Sequence, residues 1–275
     1  MSSEPSPFVL GANLMSASEN IDIDSLFAQT LIGDYDDDAP WEAVCLLRKV
    51  GSREVLEKAV SWCKSDNPLR RARGAGILAQ LGKTAEHPEN SFPEQSYSAV
   101  SLLLQRESEI QPMCSAIHAL GHIGNASAIS QISANASHPH EDVRFAVACA
   151  LGNFPNDQIA VEVLIQLSRD PDSDVRDWAT FGFGVQGDQD SPEIREALLE
   201  RLYDPDEDAS EEALVALSKR NDLRGLPKLL FLLDQPTSTV RVHEAAEMLL
   251  GIYPNEEDWS PYQYLEALRK RFPSA

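Results

Sequence analysis

The chain has 275 residues, 43% of them apolar and 24% charged, so it can bury a sizeable core and is too apolar to be disordered throughout. Asp and Glu number 44 against 23 Lys and Arg, a net charge of −21; such a surface repels phosphate, which argues against nucleic acid and anionic membrane and for a basic protein as partner. Aromatic residues make up only 7% while small residues crowd the apolar runs, which favours close-packed helices over a β-sandwich.

In chain order, residues 1–20 lack a cationic start followed by a long apolar stretch, so they read as a loose tail rather than a signal peptide. No 18-residue apolar run follows anywhere, which leaves no membrane span. Cys45, Cys63, Cys114 and Cys149 sit singly inside apolar helical runs and read as small core residues of a reducing compartment, so a cytoplasmic location is expected. Residues 21–32 form a capping helix and residues 34–38 an acidic turn. From there one pattern recurs: a turn rich in Asp and Pro, then Val-Arg, then small and apolar residues at helical spacing, then Gly. The clearest copies start at Asp142-Val143-Arg144 and Asp174-Val175-Arg176, with another at Val240-Arg241.

Anchored at the Arg position, the copies fall at 40, 71, 113, 144, 176, 210 and 241, at intervals of 31, 42, 31, 32, 34 and 31. The long interval holds His87-Pro88-Glu89-Asn90-Ser91-Phe92-Pro93, a loop composition. Each period has room for two helices. Helix A is expected to start on a capping Asp, such as Asp142 or Asp174, and to end at Gly. Helix B follows, as over Ile159–Ser168 or Pro192–Tyr203, and Asp-Pro-Asp turns then break the chain. A pair this short cannot shelter its own apolar face, so neighbouring pairs must stack. Residues 21–275 are therefore expected to form an all-α superhelix, a solenoid of about seven helical pairs with terminal capping helices. The last of these opens at Ser260-Pro261.

Val143-Arg144 leading to Ala150-Leu151-Gly152, with the pairs Leu164-Ile165, Leu198-Leu199 and Leu229-Leu230 in helix B, resembles HEAT repeats of the phycobilisome-lyase type over residues 35–253. The resemblance implies A helices on the convex side, B helices on the concave side, and a structural ladder made by Asp142/Arg144 and Asp174/Arg176. The layout is also similar to small single-domain bacterial HEAT proteins, some of which serve as immunity proteins; a basic toxin is then an alternative partner.

Few residues argue for chemistry. His243-Glu244 resembles the His-Glu motif of the HEAT-repeat deoxyhypusine hydroxylase, but the corresponding places elsewhere hold Phe145-Ala146 and Asp177-Trp178, which cannot complete a di-iron site. His118 and His122 share a helix face at the spacing a zinc site uses, without a third local ligand. Gly182, Gly184 and Gly187 follow a helix rather than a strand and read as packing and capping residues. No nucleophile elbow occurs. Neither a metal nor another cofactor is expected, and a metal-dependent hydroxylase or phycobilin-lyase-like enzyme stays as the rival class.

The expectation is a non-catalytic scaffold or adaptor, a monomer or weak homodimer, that holds a basic protein on an acidic concave surface. Aligning the B helices puts Glu162, Gln166, Glu196 and Glu200 along that surface, with Tyr203 and Phe231 as aromatic anchors. Trp41 and Trp178, early in their A helices, read as inter-repeat packing residues.

Overall fold

The turns carry Asp, Asn, Ser and Thr where a side-chain oxygen can take a free amide at a helix start, and the fold uses them so. The computed structural model of the protein describes residues 22–254, 257 and 259–273; the tail expected over 1–20 lies outside the described residues. Among the described residues there are fifteen α-helices and no strand. A cap, α1 (Ile23–Gln29), precedes seven pairs. Their first members, row A, are α2 (Asp38–Val50), α4 (Pro68–Ala79), α6 (Ile110–Ile123), α8 (Glu141–Leu151), α10 (Ser173–Thr180), α12 (Glu207–Lys219) and α14 (Val240–Leu250). Row B is α3 (Arg53–Trp62), α5 (Pro93–Arg106), α7 (Ile129–Ser133), α9 (Gln158–Leu167), α11 (Pro192–Arg201), α13 (Leu226–Leu233) and α15 (Pro261–Arg271). The insertion around 87–93 is a loop, pinned where Asn90 Nδ2 donates to the Leu78 carbonyl at 2.8 Å.

Two expected caps move. Helix α8 is capped by the His140 ring and α10 by Asp172, whose carboxylate accepts from the Val175 amide at 3.1 Å. Both helices start earlier than the Asp142 and Asp174 expectation. Those two residues fall in the first turn, where their charge still suits the helix dipole.

Val44, Leu78, Leu120, Val147, Phe183, Leu217 and Leu249 form one apolar ribbon through row A, closed from beneath by Val55, Leu103, Ile132, Leu164, Leu198 and Leu229 of row B. Row A is the tight row. Its members pack on each other from α2 to α14, while successive B helices barely meet. Ala146, Ala148, Ala150, Ala213 and Ala216 are buried there and let the axes approach. Gly121 shows the limit: a Cβ on it would stand 2.7 Å from the Cα of Ala150. A stack of wedges bends toward its close-packed row, so row A lines the inner side and row B the outer. The expectation of concave B helices is thereby reversed, because the small residues lie in row A and the bulkier side chains spread row B.

Arginine clasps lock successive turns. Arg144 meets Asp170 with two nitrogens, at 2.7 and 2.9 Å, and donates back to the His138 carbonyl. Arg176 holds Asp204 at 2.9 and 2.8 Å in the same way, and Arg71 holds Glu107. The expected ladder exists, but its acids are the turn residues Asp170 and Asp204 rather than Asp142 and Asp174, which point outward. The seventh repeat also shifts phase. Val242 takes the buried place of Val175 and His243 that of Arg176, while Arg241 pairs with Glu212 instead. At the end of α10 the chain widens into a π-helix over Phe181–Gln186. The buried Arg220 guanidinium caps its carbonyls, donating to Gly184 O at 2.6 Å and to Phe183 O at 3.2 Å. Gly182 and Gly184 pack as expected; a Cβ on Gly184 would lie 2.8 Å from that of Ala216.

Candidate interaction surfaces

Row B presents the six residues expected to bind. Glu162, Gln166, Glu196, Glu200, Tyr203 and Phe231 are all exposed, Tyr203 at 71% and Phe231 at 64%. The two aromatics come together on a groove of about 740 Å³ with Glu207, Lys228 and Ser238. The acids are less available than the sequence suggested. Arg224 holds Glu196 at 2.7 Å, Arg169 holds Glu200 at 2.6 Å, and Glu162 accepts from Gln158. Hydrogen bonding from Arg169 keeps the Glu200 carboxyl below its ordinary range. Lys228 lies over the Tyr203 ring at 5.4 Å. Row B is thus an aromatic groove flanked by neutralised pairs.

Row A falls into two ends. At the N-terminal end, Arg73 of α4 is 1% exposed, with its guanidinium 4.4 Å from the Tyr35 ring centroid and 4.7 Å from that of Trp41. Its Nε donates to Thr30 O at 2.9 Å and its Nη2 to Tyr35 O at 2.8 Å. The Tyr35 hydroxyl reaches on to Ser115 of α6 at 2.8 Å. The acidic turn therefore straps three A helices, and Trp41 is a packing residue as expected. Arg48, which donates to Gly76 O, also faces Trp41.

In the middle, edge-to-face rings run along successive A helices. His118 meets Phe145 at 6.4 Å, Phe145 meets Trp178 at 5.9 Å, and Trp178 meets Phe181 at 6.0 Å between centroids. They border a cavity of about 400 Å³ with His122 and Cys149. Trp178 is 42% exposed, so it is a surface residue as well as a packing one. Burial presses the His118 imidazole down to about 4, which keeps it neutral near pH 7. Burial also raises the thiols, Cys149 to about 12 and Cys114 to about 11, so neither supplies a thiolate. Cys45 is exposed, against the reading that all four cysteines are core residues, because it sits on the outer face of the first A helix.

At the C-terminal end, Asp177, Asp206 and Asp208 gather where α10 and α12 begin. Burial, and then the like charges of Asp208, Asp206 and Asp174, push the Asp177 carboxyl up to about 6, with only Arg241 opposing. Its Oδ1 is buried with no partner. Glu212, 1% exposed, gives one oxygen to Arg241 and leaves the other unpaired. This patch was not legible as a site, since Asp177 occupies the same helix position as Phe145 and only the fold shows what surrounds it. His243 meets Ser238 at 2.6 Å and stacks on Tyr264, a packing role. Among the described residues no three His, Cys, Asp or Glu side chains converge as a metal-ligand set, and no helix is long and apolar enough to cross a membrane.

The architecture matches known proteins. The chain is 27% identical to protein YibA of Escherichia coli K12 over 239 residues, 85% of this chain and 82% of YibA. The X-ray structure of that protein superposes with a TM-score of 0.68 at 24% identity, covering 90% of this chain and 92% of YibA. A shorter match, 28% over 142 residues and 51% of each chain, is to the alpha subunit of phycocyanobilin lyase from Thermosynechococcus vestitus. The model of HEAT repeats matches residues 99–184 and 161–250, together more than half of the sequence. The chain belongs to the HEAT-repeat family.

Proposed function

We propose that this protein is a non-catalytic binding module that holds a basic protein partner. The observation that carries the reading is the −21 charge borne on a stacked-helix scaffold whose apolar residues are consumed by inter-repeat packing. The arginines are largely committed to clasps and turn pairs, which leaves a surplus of carboxylates for a partner's cations. The protonated thiols of Cys114 and Cys149 and the neutral His118, which border or adjoin the ring cavity, give little support to a nucleophile or proton-transfer site there. The exposed Tyr203–Phe231 groove adds an apolar foothold on the outer side.

Affinity capture with the full chain from its native cells, followed by mass spectrometry and reconstitution, tests this. A stoichiometric basic partner whose binding weakens steeply with salt is expected. Only acidic or neutral partners, or turnover of a small substrate by the purified chain, would overturn it.

A further inference from the structure

Deepening that reading, we propose that the basic partner docks on the inner face of the stack, with an arginine or lysine side chain placed over Trp178 and against Asp177. The sequence alone pointed to the outer row. The structure offers a different place, where an exposed aromatic ring and a group of carboxylates share one A helix and its neighbour, and where the nearby cation, Arg241, is already held by Glu212.

Three observations meet there. Trp178 is 42% exposed and braced between Phe145 and Phe181, so its ring is held in place before anything binds. A cation over a fixed indole face is favourable, and more so where water is partly excluded. The residue before it, Asp177, keeps a buried Oδ1 without a partner among four neighbouring charges: Asp174, Asp206, Asp208 and Arg241. Arg241 is itself held by Glu212, which is 1% exposed and still has one unpaired oxygen. Elsewhere in the stack comparable acids are satisfied, as Asp170 by Arg144 and Asp204 by Arg176. One incoming cation at the half-exposed Asp177 carboxyl relieves the crowding of carboxylates. The occupant is therefore a basic protein segment rather than an anion or an apolar helix.

A hexa-arginine peptide is the probe. Its binding to the full chain is measured by calorimetry, and the Asp177 carboxyl is followed by carbon NMR through a pH titration. Saturating peptide should drop the Asp177 pKa by a unit or more. Asp177→Asn should weaken binding about tenfold and Trp178→Ala about fivefold. Asp208→Lys, at an exposed site that leaves the core alone, should weaken it comparably. The outer-row control Glu196→Gln/Glu200→Gln should change affinity less than twofold. Peptide binding that responds only to the outer-row control overturns the placement and spares the proposed function. Absence of any salt-sensitive binding overturns both. If Mg²⁺ alone shifts Asp177 as far as the peptide does, the patch is a cation site and the docking proposal falls.

Discussion

The two ends of row A solve the same electrostatic problem in opposite ways. At the N-terminal end a fully buried arginine is sandwiched by two rings and tied to two carbonyls, and the acidic turn that supplies one ring lies across it. At the C-terminal end a half-buried carboxylate lies among like charges with no hydrogen bond to Oδ1. Both sit on A helices, Arg73 at the place Trp178 takes in α10 and Asp177 one place before it. The difference teaches that neighbouring positions on A helices can be spent on strapping turns together or left crowded with like charge, and the crowded carboxylate is the one a cationic partner would relieve.

The comparison can be broken from either end. The largest effect is expected from Arg73→Ala, which opens a cavity between Tyr35 and Trp41 and leaves the Thr30 and Tyr35 carbonyls unpaired. It should cost about 4 kcal/mol locally, read as loss of hydrogen-exchange protection in α1 and α2 with α12 unchanged. Uniform loss along the stack would show that the strap is not a local lock. Next, Asp204→Ala strands the Arg176 and Arg201 guanidiniums and should cost about 3 kcal/mol in urea unfolding. Gly121→Ala forces α6 and α8 apart and should cost about 2 kcal/mol, with no gain from reduced chain entropy. A neutral result there would mean the A helices are not at their closest approach.

The smallest effect carries the opposite sign. Asp177 has its folded-state carboxyl raised to about 6 from an ordinary 3.8, so the native state binds the proton more tightly than the unfolded chain. The stability this gives is present at low pH and is lost as pH rises from about 4 through 6. Asp177→Asn should therefore stabilise by about 1 kcal/mol at pH 7.5, after allowing for solvent screening, and by nothing at pH 3.5. Thermal melts at the two pH values check it. Destabilisation at pH 7.5 would mean the carboxylate already has a partner in the free protein.

Much of the fold was written in the sequence. The spacing of Arg71, Met113, Arg144, Arg176 and Ser210 marks equivalent positions on successive A helices, and the insertion before Phe92 is a loop. Val240-Arg241 misled because a local Val-Arg pair looks the same in either register; burial of Val242 and Val175 at matching places settles the phase. Of the candidate surface, the row B residues are exposed, and Tyr203 and Phe231 line one groove, as their shared face in the repeat alignment implies. That Arg169 and Arg224 would neutralise Glu200 and Glu196 was not visible, because each partner lies about thirty residues away.

What the sequence determined by itself was local: helical periodicity, turns that end each helix, and a repeat that cannot bury its apolar face unless it stacks. Net charge, a sum over residues, was likewise fixed without a fold. The tertiary structure alone decided which row is inner, because curvature depends on how closely small residues let two axes approach. It alone decided which charges find partners, because an ion pair is a distance between segments far apart in the chain, and spacing along the sequence carries no record of it.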